Sequence, residues 1–184
     1  MTNQSLSLDS PFLHHPEHAQ YIAGVIAFWN TSEHILASVF ALLIGTDPWH
    51  AGEILGSLAS ASAKIDLVES AGRNTLANSQ RLTEFESLLK SARSVMRSRH
   101  TYAHGIYAVD EKSRLILVRQ GRDWSDQSEQ RPLGIAQLKQ DLQRSEELHK
   151  ALVAFHNVLH SEMPHSPSAS WLYKAGVRKD KNAP

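Results

Sequence analysis

The sequence predicts an all-α protein, an antiparallel up-and-down four-helix bundle with a short β-hairpin inserted between the third and fourth helices. Four long segments repeat apolar residues at steps of three and four, the period of an amphipathic helix. Two of the connections between these segments are short, which favours antiparallel neighbours. Before the fourth segment, branched and aromatic residues flank a polar turn, a pattern typical of a hairpin.

The first two helices are predicted on either side of a clear break. Over residues 17–44 one seam contains Ile22, Ile26, Trp29, Glu33, Leu36, Phe40 and Leu43. Asp47 is placed to cap the second helix and Pro48 to occupy its first turn. We expect this second helix to run to about Ala71 and to end at Gly72, because glycine often follows a helix.

The third helix is expected to begin near Ser79, with Ser79 as its cap. Its apolar side contains Leu82, Phe85, Leu89, Ala92, Met96, Arg99 and Ala103. The fourth helix is expected over residues 133–162, where the apolar positions are Ile135, Leu138, Leu142, Leu148, Leu152, Phe155 and Leu159. Between these helices, strands at 106–109 and 114–119 flank the polar turn 110–113.

Composition bounds the domain organisation and the class of function. The chain of 184 residues suits one helical domain, predicted over residues 17–162, followed by a tail at 163–184 that we expect to be partly disordered. Nineteen basic residues balance nineteen acidic ones, so no overall positive field favours nucleic acid. Cysteine is absent, which excludes disulfides and thiol catalysis. The apolar stretch 37–44 is too short to span a bilayer, so we expect a soluble, cytoplasmic protein without membrane contact.

Two positions on the helical seams carry charge where the pattern requires apolar residues. These are Glu33 on the first helix and Arg99 on the third. A buried charge without a partner is costly, so each should be paired or face a wet cleft. A bundle in which the first and third helices meet would let Glu33 and Arg99 lie near each other.

The stretch RSRHTYAHG, residues 97–105, carries the candidate site at the end of the third helix. His100 and His104 are four residues apart and share a face if the helix persists. One interpretation is a solvated helix end, where cations suit the C-terminal dipole and Gly105 supplies the cap. A second is a metal site, with Glu33 as a third ligand, although a neighbouring arginine would repel a cation. The pair His156 and His160 repeats the same spacing on the fourth helix.

A third interpretation of this stretch is phosphate chemistry. A histidine can take a proton from a ribose hydroxyl or give one to a leaving oxygen, since its pKa is near neutral. An arginine can hold the phosphate oxygens as negative charge builds on them. One histidine and one arginine are half of such a site, and a two-fold dimer would supply the other half without any metal or other cofactor.

Arg99, polar His100 and the sequence Ala103-His104-Gly105 resemble the signature of HEPN domains (higher eukaryotes and prokaryotes nucleotide-binding). That signature is an arginine, a polar residue and a histidine four to six positions after the arginine, at the end of the third long helix of four. The resemblance covers about residues 17–162. His100 departs from it, because asparagine or aspartate is commoner there.

The resemblance implies a helical bundle that forms a homodimer with the motif at its interface. It implies metal-independent cleavage of RNA by attack of the ribose 2′-hydroxyl on the adjacent phosphate, often in toxins or phage defence, with an antitoxin or other protein partner. His104 would be the general acid and base, Arg99 the phosphate clamp, and His100 would orient the phosphate or His104. Glu33 would support Arg99. Other relatives have lost activity and only bind nucleotides or proteins.

Aromatic and basic residues near the hairpin leave two interpretations open. Tyr102, Tyr107 and Trp124 either stack on bases or pack in the core, and packing is the commoner role. In the same region, Arg114, Arg119 and Arg122 form either a basic strip beside the motif or a solvated hairpin edge.

Overall fold

The protein, examined as a computed structural model, is described over residues 11–118 and 130–163. This part of the chain is mostly helical with one small antiparallel sheet. Its helices are α1 (Pro11–His14), α2 (Pro16–Ile44), α3 (Pro48–Gly56), α4 (Ala61–Thr75), α5 (Arg81–Ala103) and α6 (Ile135–Glu162). Its strands are β1 (Ile106–Val109), β2 (Leu115–Val118) and β3 (Gln130–Pro132).

The predicted first helix is confirmed as α2, and the predicted start of the next helix is also confirmed. The Asp47 side chain accepts hydrogen bonds from the backbone N–H groups of Trp49 and His50 at 2.9 and 3.0 Å, and Pro48 opens α3. These contacts satisfy donors that have no partner within a helix. The sequence therefore set this boundary correctly.

The predicted second helix is wrong in its interior and at its end. It is two helices, because α3 ends at Gly56 and α4 begins after Ser60, whose hydroxyl accepts from the Ala63 N–H at 3.1 Å. Serine favours such caps because its side chain competes for backbone hydrogen bonds. The expected stop at Gly72 is also wrong, since α4 continues to Thr75.

The third and fourth predicted helices correspond to α5 and α6. The Ser79 hydroxyl accepts from the backbone N–H of Arg81, the first residue of α5, at 3.1 Å, so Ser79 satisfies one donor at the start of this helix. The hairpin is also confirmed, with Tyr107 opposite Leu117 in an antiparallel register. A third strand, β3, was not predicted. It extends the sheet in the order β1-β2-β3 and places Arg131 opposite Leu117.

The described chain divides into two compact units, each assembled from separate segments. The first unit contains the described parts of 1–30 and 94–147, and the second contains those of 31–93 and 148–184. Each unit takes its own portions of α2, α5 and α6. The single domain over residues 17–162 and the four-helix bundle remain predictions. The tail beyond Met163 lies outside the described residues.

The first unit has a core in which helices α2, α5 and α6 contribute beside the sheet. Its buried residues are Ile22, Val25, Tyr102, Leu115, Leu117, Leu133 and Leu138. Partly buried side chains, among them Phe12 and Tyr107, pack against this cluster. Burial of such apolar surface is the main stabilising term, at about 25 cal/mol per Å². This core fixes the C-terminal end of α5 against β2 and α6.

The second unit is packed around two stacked phenylalanines. The rings of Phe85 and Phe155 lie 5.8 Å apart between centroids, and both are buried. Gly72 lies within α4 because Phe85 packs directly on it: a Cβ there would be 2.1 Å from Phe85 Cε1. Gly72 therefore allows close packing of an aromatic ring and does not end the helix.

Helix α2 is long enough and apolar enough to meet the length and composition criteria for a membrane-spanning helix. Its most apolar window has a mean hydropathy of 1.3, and 44% of that window is buried within the protein. The core helix of a soluble protein meets the same criteria. The expectation of a cytoplasmic protein without membrane contact, which rested on the short stretch 37–44, stays a prediction.

Candidate functional site

The two histidines of the motif lie side by side at the C-terminal end of α5. Their ring centroids are 4.6 Å apart and the rings are tilted by 50°. The backbone N–H of His104 donates to the carbonyl of His100 at 3.1 Å, so the helical turn persists one residue past Ala103. Both side chains are exposed. The shared face predicted from their spacing is therefore present, and both rings are open to a ligand.

Arg99 is half-buried next to this pair in sequence. Its Nε is buried and has no hydrogen-bond partner within the part of the chain that the structure describes. Among the described residues, no carboxylate forms an ion pair with Arg99. A buried donor without an acceptor costs about 1–3 kcal/mol, so the position of Arg99 lowers the stability of the protein.

The expected pairing of Glu33 with Arg99 is wrong. Glu33 belongs to the second unit, and its Oε1 lies 2.5 Å from Nζ of Lys64 on α4. Both side chains are half-buried. Periodicity on one helix shows that Glu33 faces inward, but it contains no information on which neighbouring helix supplies the cation. Glu33 is therefore a structural ion-pair residue within the second unit.

Gly105 is required by packing and does not act as a left-handed helix cap. In residues 11–118 and 130–163 the one glycine with positive φ is Gly45, so Gly105 has no backbone conformation that favours glycine. A Cβ at Gly105 would lie 2.1 Å from Leu117 Cδ1 and 2.8 Å from the carbonyl oxygen of Thr101. Gly105 thus lets strand β2 approach the end of α5, directly after His104.

Tyr102 is a buried residue of the first unit and offers no exposed ring for base stacking. It is 3% exposed, and its hydroxyl donates to Oδ2 of Asp141 at 2.5 Å. Burial, and then the hydrogen bond to the carboxylate, raise the pKa of Tyr102 well above its usual range. Tyr102 stays in the neutral, donating form, and its supporting role is to fix Asp141.

Tyr107 also packs inside the first unit. Its hydroxyl donates to the Tyr102 carbonyl at 2.5 Å, and its ring contacts Phe12 with centroids 4.6 Å apart. Burial raises the pKa of Tyr107 to about 12. Of the three arginines beside the hairpin, Arg114 is paired with Asp110 at 2.7 Å, and Arg119 and Arg122 lie outside the described residues. Trp124, the third aromatic candidate, also lies outside them.

A polar pocket of about 380 Å³ opens beside α5 in the first unit. Its lining comes from α5, the sheet and α6, and consists of Arg97, Ser98, Thr101, Tyr102, Leu117, Arg131, Gln137, Asp141 and Arg144. Three guanidinium groups face one carboxylate, so the charge of the lining is +2. The three motif residues Arg99, His100 and His104 are not part of this lining.

The metal interpretation gains no support from the described residues. Within them, no group of three or more histidine, cysteine, aspartate or glutamate side chains is close enough to hold a metal ion. His156 and His160 lie in the second unit with ring centroids 6.1 Å apart. Glu33, the third ligand of that interpretation, forms an ion pair with Lys64.

Comparisons with known proteins give no further assignment. No protein-family model, no curated protein and no solved structure matches this chain. The likeness to HEPN domains therefore rests on the motif and its place at the end of α5.

Sequence reasoning missed the pocket for two separate reasons. Arg131 could not be placed because β3 was not predicted. Asp141 did leave a signal, since the buried seam of α6 runs Leu138, Asp141, Ser145, Leu148, Leu152, Phe155 and Leu159 in steps of three and four. The predicted α6 pattern used Leu142, which is half-buried, and so passed over a buried aspartate.

Proposed function

We propose that the protein is a metal-independent endoribonuclease of the HEPN type. The observation that carries this proposal is the exposed pair of His100 and His104, 4.6 Å apart, at the end of α5 directly after Arg99. Arg99 adds a guanidinium whose Nε has no hydrogen-bond partner among residues 11–118 and 130–163. An imidazole and a guanidinium supply the proton transfer and the charge stabilisation that cleavage of a phosphodiester requires.

In the proposed reaction, His104 takes the proton from a ribose 2′-hydroxyl. The 2′-oxygen then bonds to the adjacent phosphorus and the bond to the 5′-oxygen breaks, leaving a 2′,3′-cyclic phosphate and a 5′-hydroxyl. A protonated histidine gives its proton to the leaving 5′-oxygen. Arg99 binds the non-bridging oxygens as charge builds, and His100 orients the phosphate or His104.

The two proton transfers fit a site that two copies of the chain complete together. Each chain brings one Arg99 and one His104, so a two-fold homodimer would place an acid and a base on opposite sides of the phosphate. A stable interface of this kind buries about 1,200 Å² or more in total. The toxin or phage-defence setting, the cytoplasmic location and a protein antitoxin belong to this same proposal and come from the motif resemblance.

Substitution of the motif residues tests the proposal. We expect His104→Ala and Arg99→Ala each to reduce RNA cleavage about a hundredfold or more, since a positioned acid or base contributes about that much. His156→Ala is the matched control, because it removes a histidine with the same i,i+4 spacing from the second unit. Equal loss in the control, or a monomer by sedimentation at micromolar concentration, would refute the composite site.

The alternative function is a non-catalytic module that binds a nucleotide or a protein. The arginine-lined pocket favours this alternative, because its lining could bind an anionic ligand without His100 or His104. Binding of a nucleotide by protein that cleaves no RNA at any concentration tested would decide for this alternative.

A further inference from the structure

The pocket on α5 has walls from three elements of the first unit. Arg97, Ser98 and Thr101 come from α5, Arg131 comes from β3, and Gln137 and Arg144 come from α6. Side chains with N–H or O–H donors therefore line the pocket from several directions. Donors that converge from separate elements are typical of a site that orients a small polar ligand.

Two of the three cations at this pocket have no carboxylate partner among the described residues. Arg97 and Arg131 are exposed and form no ion pair with a carboxylate among the described residues. Arg144 forms an ion pair with Asp141, with Nη1 3.6 Å from Oδ1, so it is partly neutralised. Arg93, earlier on α5, is by contrast paired with Asp66 at 2.7 Å and with Glu69 at 2.5 Å. The pocket is thus a local positive site on a chain with no net charge.

The floor of the pocket is held in place before any ligand arrives. Tyr102 and Leu117 are buried there, and Asp141 is 5% exposed. The Tyr102 hydroxyl holds Asp141 Oδ2, while the Ser145 hydroxyl donates to the Asp141 carbonyl at 2.7 Å. A rigid floor lowers the entropy lost when a ligand binds.

The positions of the charges give the ligand an orientation. An anionic group is repelled by Asp141 at the floor and attracted by Arg97 and Arg131 near the opening. Asp141 lines the pocket and supplies its one carboxylate, the acceptor for a hydroxyl or N–H group of the same ligand. Guanidinium groups match phosphate oxygens in geometry as well as charge. The volume of about 380 Å³ is in the lower part of the range for small-molecule sites.

We propose that this pocket binds a phosphate ester of mononucleotide size, with its phosphate on Arg97 and Arg131 and a hydroxyl directed to Asp141. The pocket lining does not include the motif residues Arg99, His100 and His104, so the proposal goes beyond the proposed cleavage. It rests on the alternative function, nucleotide binding, and assigns that function its residues and its ligand class. The phosphate ester is supplied either by a free nucleotide or by a nucleotide of single-stranded RNA.

Titration calorimetry at low salt with adenosine 5′-monophosphate, adenosine and the oligonucleotide r(AAAA) without terminal phosphates tests the proposal. We expect the monophosphate to bind at least about tenfold more tightly than adenosine, since charge-assisted hydrogen bonds to phosphate contribute that much or more. Binding of the monophosphate but not r(AAAA) supports a free nucleotide as the source. Tighter binding of r(AAAA) supports RNA as the source. Equal binding of adenosine and its monophosphate overturns the proposal.

Variants assign the binding to this pocket. Arg97→Gln and Arg131→Gln should each weaken binding of the phosphate ester about tenfold or more. Lys90→Gln is the matched control, because it removes one exposed cation from the same helix outside the pocket lining. His156→Ala, outside both the motif and the pocket lining, should leave binding unchanged. Binding that survives Arg97→Gln and Arg131→Gln together would overturn the proposal.

Discussion

The hydroxyl of Tyr102 donates a hydrogen bond of 2.5 Å to Oδ2 of Asp141, joining α5 to α6 within the first unit. The two residues are 3% and 5% exposed. The bond therefore satisfies a carboxylate that would otherwise be buried with too few donors. Tyr102 belongs to the RSRHTYAHG stretch, so the segment that carries the motif is anchored by a contact pointing away from His100 and His104.

Removal of this hydrogen bond should destabilise the protein. We expect Tyr102→Phe to lower the free energy of unfolding by about 1–3 kcal/mol, because Asp141 stays buried with one donor fewer. Tyr21→Phe is the control, since its hydroxyl makes an exposed bond of 3.3 Å to Glu17, and such surface changes stay within about 0.5 kcal/mol. Urea unfolding measures both. Equal, small effects would mean that the buried bond contributes nothing to stability.

A second prediction concerns the glycine that follows His104. Gly105→Ala should destabilise by about 1–3 kcal/mol, because the added methyl group overlaps Leu117 and the Thr101 carbonyl. Gly52→Ala, with open space around it in α3, should instead stabilise by about 0.5–1 kcal/mol. Thermal unfolding of the two variants measures the difference. If Gly105→Ala abolishes cleavage without lowering stability, the glycine has a catalytic role that its packing does not indicate.

The ion pair of Glu33 and Lys64 gives a third prediction. Because both side chains are half-buried and solvent screens them, Glu33→Ala should cost about 1 kcal/mol or less. In a double-mutant cycle, the cost of Glu33→Ala should shrink in the Lys64→Ala background. A loss of several kcal/mol that persists in that background would show that Glu33 balances a different buried cation.

A fourth prediction is the acid dependence of the β1–β2 hairpin. The Asp110 carboxylate accepts from the backbone N–H groups of Arg114 and Lys112 and from the Arg114 guanidinium, and the backbone bond from Arg114 is the main reason that its pKa is lowered. Stability from a lowered pKa is complete above the ordinary value of about 3.9 and is lost as pH falls through the folded value. Asp110→Asn should thus lower the Tm at pH 7 much more than at pH 2. The same loss at both values would contradict a role for the charge.

The sequence predicted the helices whose signals are local, and it failed where the determining contact is distant. The cap at Asp47 and the seam of α2 depend on neighbours a few residues away, and both are confirmed. Gly72 has the sequence appearance of a stop, but its role is set by Phe85, which packs on it from another helix. The partner of Glu33 likewise depended on which helix lies beside it.

The candidate site divides in the same way. The proximity of His100 and His104 follows from a spacing of four on one helix, so it could be predicted. The pocket requires Arg131 from a strand without a clear pattern, and Asp141 from a seam in which polar residues replace apolar ones. Only the packing of α5, the sheet and α6 brings these residues together.

The chemistry of the cut ends tests the central proposal most directly. Purified protein is incubated with a labelled RNA in excess chelator, beside the same RNA with a single 2′-deoxy substitution at the cut position, and the products are identified by mass. Attack by the ribose hydroxyl predicts a 2′,3′-cyclic phosphate and a 5′-hydroxyl, undiminished cleavage in chelator and no cleavage at the 2′-deoxy position. Cleavage that stops in chelator, or that proceeds at the 2′-deoxy position, would contradict it.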